Sequence, residues 1–412
     1  MWGKFSNTET RGYFQRGFVD VYNRTARRPV TLQSKPTSSF ERMVQTALAA
    51  GKAPDLIETG STAQVVKYAK AGYLVPLDSI ARRDDWASRM LPWALDAGRV
   101  DGHLYTVPNA YETLLCVYNK DTFEKYDWQV PVSRDDFEEL CAEAKGRGLI
   151  PIGAGSASAH DVSQWFVTIA FNSFAGPEAV HQALTGRARF SDPVFVDAIT
   201  LLNSYFHKGW YGGGVEDYFT NTFESLYSKL AKGEVAMEHT GSWAFAELLP
   251  YFHESGRDAA WDWAPLPSLS PSQTTAPPFT LAVGGTWSVN SKSPHAEEAA
   301  EFLSWVVGNP QRQLAGFKSV GLQPMPIPLA ASDFVKGTDP RLARLYTELA
   351  QAQRNGYTTW TFLPPETMTF CYHGMDYVLT GRLTPAEYCA QLDRLFTSER
   401  RSGKVPAVPS PS

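Results

Sequence analysis

The residue types in this chain best suited to chemistry are carboxylates and indoles. Glu58, in DLIETGS, ends a predicted strand just before a helix start, and Glu112 lies in NAYETLL between two predicted strand pieces. A glycosidase needs only two carboxylates facing a sugar. The same two groups, doing no chemistry, would each accept hydrogen bonds from a pair of sugar hydroxyls. Other catalytic patterns are missing: there is no nucleophile elbow, no H-E-x-x-H helix and no G-x-x-x-x-G-K-[ST] phosphate loop. GAGSAS, at Gly153, lacks the third glycine of a dinucleotide loop, and His239, His253, His295 and His373 each stand alone. No cofactor or metal site is expected.

The indoles have their own logic. A sugar presents hydroxyls at its edge and C–H groups on its faces, so a site for it wants planar polar groups at the rim and flat rings above or below. In GEVAMEHTGSWAFAELLP, Trp243 follows Gly241 and Ser242 at a turn that opens a helix. A core indole usually sits within an element; one at a helix entrance beside glycine is placed to look into a cleft, and Gly241 lets the backbone approach closely. Trp287 after Gly284 and Gly285, Trp360 in TTWTF, and Asp161 with Trp165 in HDVSQWF are further candidates. Trp305 falls on the apolar stripe of a helix and reads as core. Glu58 occupies the position at which open α/β sheets bind ligands, outside the carboxyl end of a strand. Tyr111 and Glu112 are alternate strand residues, so one of them faces the cleft and the other turns away.

The elements that must position these residues alternate. Phe40, Met43, Val44, Ala47 and Leu48 recur at helical spacing after Ser38 or Ser39 as a cap, and the helix stops at Gly51. A buried strand over 55–58 follows, then a helix capped by Ser61 and running to Gly72. LYTVPNAYETLLCVYNKD reads as two strand pieces, SRDDFEELCAEAKGRG as a helix and LIPIGAG as a strand; 164–250 reads as mainly helical. The stretch 266–278, rich in proline and serine, is expected to be an exposed connection. FTLAVGGTWSVN reads as strand, glycine turn and strand, HAEEAAEFLSWVVGNPQRQLAGF as one helix, and KVPAVPSPS as a frayed tail.

Composition bounds the rest. With 412 residues, 43% hydrophobic and 20% charged, the chain is globular and long enough for two domains. A net charge of -5 with dispersed bases leaves no footprint for nucleic acid. No apolar run is long enough to span a bilayer. Cys116, Cys141, Cys371 and Cys389 are too far apart for a C-x-x-C pair. Cys371 and Cys389 flank a predicted helical hairpin, where a disulfide in an oxidising compartment and two buried thiols are both open readings.

Five segments, in order and covering most of the chain, resemble the extracellular solute-binding proteins of carbohydrate ABC transporters. They are ALAAGKAPDLIETGSTAQVVKYAKAGYLVPLD, DGHLYTVPNAYETLLCVYNKDTFEKY, VPVSRDDFEELCAEAKGRGLIPIG, KLAKGEVAMEHTGSW and LAVGGTWSVNSKSPHAEEAAEFLSWVVGNPQRQ. The resemblance implies an α/β, two-lobed periplasmic-binding-protein fold (type II-like) with discontinuous lobes and hinge crossovers: 1–110 plus 264–315, and 111–263 plus 316–412. It implies a sugar or oligosaccharide ligand between the lobes, Trp243 stacking on it, Glu9 in NTETR as a polar contact, and the glycine pair with Gly285 beside it. It also implies a monomer outside the cytoplasm, lipid-anchored or periplasmic, delivering ligand to ABC permease subunits. Gln323, in GLQPMPIP, stands where the family usually has an apolar residue. Rival readings are a secreted carbohydrate-active enzyme using Glu58 and Glu112, and a binding protein for a polyol phosphate or peptide.

Overall fold

The computed structural model describes residues 1–5, 7–35, 39–271, 279–352 and 355–410. Its strands form two main sheets. In the first, the long strand Thr280–Val289 runs antiparallel to Leu56–Thr59 and to Val107–Glu112, and its start pairs in parallel with Gly356–Tyr357. Trp2–Gly3 lies parallel to both Leu56–Thr59 and Gln33–Ser34. The second sheet runs in the order Trp261–Ala264, Leu114–Asn119, Val235–Gly241, Ile150–Gly153. The strand over 55–58 expected from sequence is therefore Leu56–Thr59, buried along its length as a sheet interior requires.

Thr113 alone separates Val107–Glu112, in the first sheet, from Leu114–Asn119, in the second. Its surroundings tie the crossing strands together. Thr280 N–H donates to Thr113 Oγ1 at 3.0 Å, Leu114 N–H donates to Thr280 Oγ1 at 3.0 Å, and Ser242 N–H donates to the Thr113 carbonyl at 2.9 Å. Buried backbone groups must find partners, and where two sheets meet without a common ladder these threonine and serine groups supply them.

Helices cover the sheets. Phe40, Val44 and Leu48 are the buried stripe of Phe40–Ala49, over Ile57, Val65 and Val66. Ser61 caps Thr62–Lys70 by accepting from Gln64 N–H, as expected. Ser39 is the N-cap residue of the preceding helix, but its hydroxyl turns to Met43 Sδ rather than capping; Ser38 lies outside the described residues. Cys371 and Cys389 sit on the hairpin of Pro365–Leu379 and Pro385–Arg401, and all four cysteines are free and buried.

Several expectations need correction. Within the stretch read as helical, Val235–Gly241 is a fully buried strand, because VAM is β-prone and both neighbours in the sheet supply ladders. FTLAVGGTWSVN makes no turn: Thr280–Val289 is one strand with a register shift at Gly285, a bulge that glycine tolerates. The helix over HAEEAAEF to LAGF is two, Ala296–Val307 and Pro310–Val320, because Pro310 fits only the first turn of a new helix. Residues 266–270 are buried, not exposed; Ser268 and Leu269 N–H groups donate to the Val132 and Ser173 carbonyls. Residues 272–278 of that connection lie outside the described residues. The C-terminal tail also packs down, with Val405 and Val408 against the core and Tyr357 Oη donating to the Pro409 carbonyl at 2.7 Å.

Candidate functional site

A cleft of about 870 Å³ opens beside the junction of the sheets, lined from both. From the first side come Lys4, Glu9, Glu58, Asn109, Glu112 and Trp287; from the second come Asp161, Trp165, Trp243, Glu247 and Tyr251. Trp360, on the short helix Thr359–Phe362, completes the wall.

Glu58 and Glu112 sit deep, 6% and 7% exposed. Glu58 Oε2 accepts from Lys4 N–H at 2.8 Å and Oε1 from Asn109 Nδ2 at 3.0 Å. Burial raises its pKa against the opposing charge of Lys4 and these hydrogen bonds. Burial likewise pushes the Glu112 carboxyl up to about 7, with Lys4 pulling the other way. The glycine pair explains how two carboxylates fit beside one strand. A Cβ on Gly284 would lie 1.8 Å from Glu112 Oε1, and one on Gly285 would lie 2.6 Å from Asn109 Oδ1 and 3.0 Å from Glu58 Oε1. Gly284 lines the cleft and Gly285 does not; its contribution is the room it leaves behind the Glu58–Asn109 pair.

The opposite wall is aromatic. Trp243 stands edge-on to Trp360 (5.6 Å between ring centroids) and to Trp165 (5.0 Å); Trp165 stacks on Phe223 (5.8 Å, 20°), and Phe223 on Tyr227 (6.0 Å, 22°). Tyr251 follows at 6.2 Å from Tyr227. The row arises because the turn Ser242–Ala244 aims Trp243 out of the sheet edge, while Phe223 and Tyr227 lie four apart on one helix face. Gly241 faces this row without lining the cleft: a Cβ there would lie 1.9 Å from Trp243 Cζ3, so its absence seats the indole.

Of the residues singled out from sequence, the structure brings Glu9, Glu58, Glu112, Asp161, Trp165, Trp243, Trp287 and Trp360 to the cleft. Glu9 lies in the first turn of Thr8–Phe14, a helix capped by Asn7. Tyr111 turns away, as strand alternation requires once Glu112 faces in. It is 1% exposed, packs on Trp93 and Tyr346, and donates to the Leu349 carbonyl at 3.4 Å. Trp305 packs with Phe18, Tyr22 and Phe302. His239 is buried in the second sheet, its Nδ1 2.9 Å from Tyr211 Oη, and burial pushes its pKa down to about 3. Among the described residues no group of acidic, histidine or cysteine side chains could hold a metal.

Sequence reasoning missed Lys4, Asn109, Phe223, Glu224, Tyr227, Glu247, Tyr251 and Glu254, all on the cleft wall. Glu247, Tyr251 and Glu254 are spaced four and three apart, one face of Phe245–Glu254, and that spacing was the available signal. Gln323 reaches the cleft too, its side chain bonding toward Glu112 and helping to hold that carboxyl down against burial, and Nε1 of Trp287, which is 7% exposed, is buried without a partner. One unpaired donor therefore belongs to a residue lining a cleft rich in acceptors. Such groups cost free energy unless something polar occupies the space beside them.

A model of the family described as bacterial extracellular solute-binding protein matches residues 7–313. The chain is 25% identical over 293 residues to a maltotriose-binding protein of Pyrococcus abyssi, covering 69% of this chain and 58% of that one. It is 23% identical over 286 residues to an ABC transporter extracellular-binding protein of Pyrococcus horikoshii, covering 67% and 60%. The chain thus spans about 60% of the length of these two relatives. A solved chitin oligosaccharide binding protein superposes with a TM-score of 0.81 at 18% identity, over 98% of this chain and 99% of that one. The GacH receptor of Streptomyces glaucescens, solved unliganded and with acarbose, gives 0.75 at 19% identity over 96% of both. Over nearly the whole chain the fold is therefore the two-lobed one shared with these proteins.

Proposed function

The chain belongs to the bacterial extracellular solute-binding proteins, and from that premise we propose that it binds an oligosaccharide in the cleft and delivers it to the permease of an ABC importer. One observation carries this reading: the row of rings from Trp360 to Tyr251 faces the buried carboxylates Glu58 and Glu112 across a single cleft. Rings stack on sugar faces while carboxylates, Asn109, Gln323 and the unpaired Trp287 donor bond the hydroxyl edge, each net bond contributing about 0.5–1.5 kcal/mol. Six rings in succession, their neighbouring centroids 5.0–6.2 Å apart, suit a chain of sugars better than one pyranose. Maltotriose and acarbose, named for the relatives above, are of this class.

The lobes are 1–110 plus 264–315 and 111–263 plus 316–412, each built mainly on one sheet, with the strand pairs of Tyr111, Glu112 and Gly356–Tyr357 reaching across and Thr113 and Thr280 as the pivots where the chain crosses. Ligand bridging both walls adds contacts available only in the closed state and shifts the population toward it. The protein works outside the cytoplasm as a monomer, held by a lipid anchor or free in a periplasm; among the described residues no helix is long and apolar enough to cross a membrane.

The test is a thermal-shift screen against mono- and oligosaccharides, with polyol phosphates and peptides as controls. Ligand at 100 times its dissociation constant adds about 2.7 kcal/mol to the native state. At roughly 2–4 °C per kcal/mol, the midpoint rises by several degrees. A rise confined to phosphates or peptides refutes the substrate class. The sugar must also come back uncleaved: hydrolysis products would replace the binding reading by catalysis at Glu58 and Glu112.

A further inference from the structure

The cleft is walled at one end and open at the other. At the walled end, beside Glu58 and Trp287, the lining rings Phe14 and Phe18 are 2% and 1% exposed. The Phe14 ring stands 5.4 Å from that of Trp287, 5.5 Å from Phe5 and 5.0 Å from Phe18, so four rings back this end. The row of rings on the opposite wall starts at the same strand: Trp360 is held beside Gly284 because Val283 N–H donates to Thr361 Oγ1 at 3.0 Å. The two sides also touch where Phe245–Glu254 begins, with Asn7 Nδ2 donating to the Ala246 carbonyl at 3.4 Å. Towards the end of that helix the lining residues Pro250 and Glu254 are exposed, and so are Glu224 and Ser158.

The walled end is polar in front of its rings. Trp287 pairs with Glu58 across neighbouring antiparallel strands, which sets their Cβ atoms about 5 Å apart. Its indole N–H has no partner. Each Glu58 oxygen has accepted one bond, from Lys4 N–H and from Asn109 Nδ2, and keeps a second lone pair. A hydroxyl both donates and accepts, so two neighbouring hydroxyls of one sugar satisfy the indole and the carboxylate together. A linkage oxygen only accepts, and an internal sugar needs its chain to leave on both sides, which the rings behind Trp287 block. We propose that the cleft takes one end of the oligosaccharide: the terminal sugar fills the corner of Glu58, Asn109, Glu112 and Trp287, anchored by the Trp287 N–H, and the chain leaves past Tyr251. The inference rests on the oligosaccharide reading above and adds that chain ends, not internal stretches, are recognised.

The experiment is titration calorimetry with tetramers of α-1,4- and of β-1,4-linked glucose, each unmodified, with a benzyl ether on the 4-hydroxyl of the non-reducing end, or as the benzyl glycoside at the reducing end. For the linkage that binds, one benzyl group should cost at least about tenfold in affinity, as a group forced against a packed wall does, and the other less than about threefold. Trp287→Phe keeps the ring in the wall and removes the N–H; it should weaken the unmodified tetramer and the tolerated benzyl derivative alike, by about 2- to 13-fold. Tolerance of both benzyl groups, or rejection of both, overturns the proposal and leaves the oligosaccharide reading standing; this comparison uses the unaltered protein and needs no variant to fold. Wild-type affinity in Trp287→Phe overturns the anchor. Failure of both unmodified tetramers, with a polyol phosphate or peptide binding instead, sinks both readings.

Discussion

Gly241→Ala isolates the role of Trp243 without touching a ligand-contacting atom. Gly241 has φ -102° and ψ 163°, extended backbone that alanine adopts freely, so the substitution adds one methyl and no backbone strain. That methyl would meet Cζ3, Cη2 and Cε3 of Trp243 at 1.9, 2.1 and 2.2 Å, whereas carbons in contact stand about 3.5–4.0 Å apart. The indole must retreat by about 1.5 Å, and Trp165 and Trp360 leave it no room to do so within the row. It therefore swings to another rotamer and gives up the sugar face. One face of an indole covers roughly 60–100 Å², taken as under half of its burial, which at about 25 cal/mol per Å² is about 1.5–2.5 kcal/mol. The dissociation constant should rise about 10- to 70-fold.

Calorimetry on Gly241→Ala, Trp243→Ala and the double variant checks the chain of cause. If the methyl acts only through the ring, the double variant binds no worse than Trp243→Ala, because removing the indole makes room for the methyl. Wild-type affinity in Gly241→Ala, or losses that simply add in the double variant, would refute the reasoning.

Stability should fall as pH rises from about 4.5 to 8, an effect centred on Glu238. Its carboxyl is 4% exposed, has an unpartnered Oε2 and is pushed by burial up to about 8. A carboxyl whose folded pKa exceeds its unfolded value keeps its proton in the native state across that window. The native state then binds more protons, and stability declines with pH. Glu238→Gln should flatten the melting profile and raise the midpoint at pH 8; an unchanged slope would put the effect elsewhere. Asp393→Ala should cost about 1–3 kcal/mol of stability without altering sugar affinity, because the buried carboxylate accepts from Phe190 N–H at 3.0 Å far from the cleft. Chemical denaturation and calorimetry on that variant separate the two effects. Thiol titration should find none of the four cysteines reactive in the native protein and all four after denaturation, with no change in melting on reduction.

The fold was largely legible because its elements carry local signals. Ser61 caps its helix where the pattern places it, and Phe40, Val44 and Leu48 form the stripe that their spacing announces. The errors arose where tertiary pairing overrides local pattern. A glycine pair between two β-prone runs looks like a hairpin turn, yet Gly284 and Gly285 continue one strand because three partner strands hold its ladder and two carboxylates need the space. The connection after Pro265 looked exposed by composition, but Leu266 and Leu269 are core, a placement set by distant strands.

The site divides the same way. Trp243 and Glu58 could be singled out because each stands at an element boundary, where residue type and position disagree with a plain packing role. Glu247, Tyr251 and Glu254 could not, since a polar stripe on one helix reads as a solvated face until a second helix lies beside it. Phe223–Lys232 is that helix, and it carries its own stripe of Phe223, Glu224 and Tyr227 to the same place. Each helix alone has an ordinary surface. Packed together, they enclose three carboxylates and three rings with no base among the described lining residues beside them, a combination that neither sequence stretch encodes separately. Positions that belong to one element could therefore be read one at a time, whereas this combination of carboxylates and rings arises only where two elements meet.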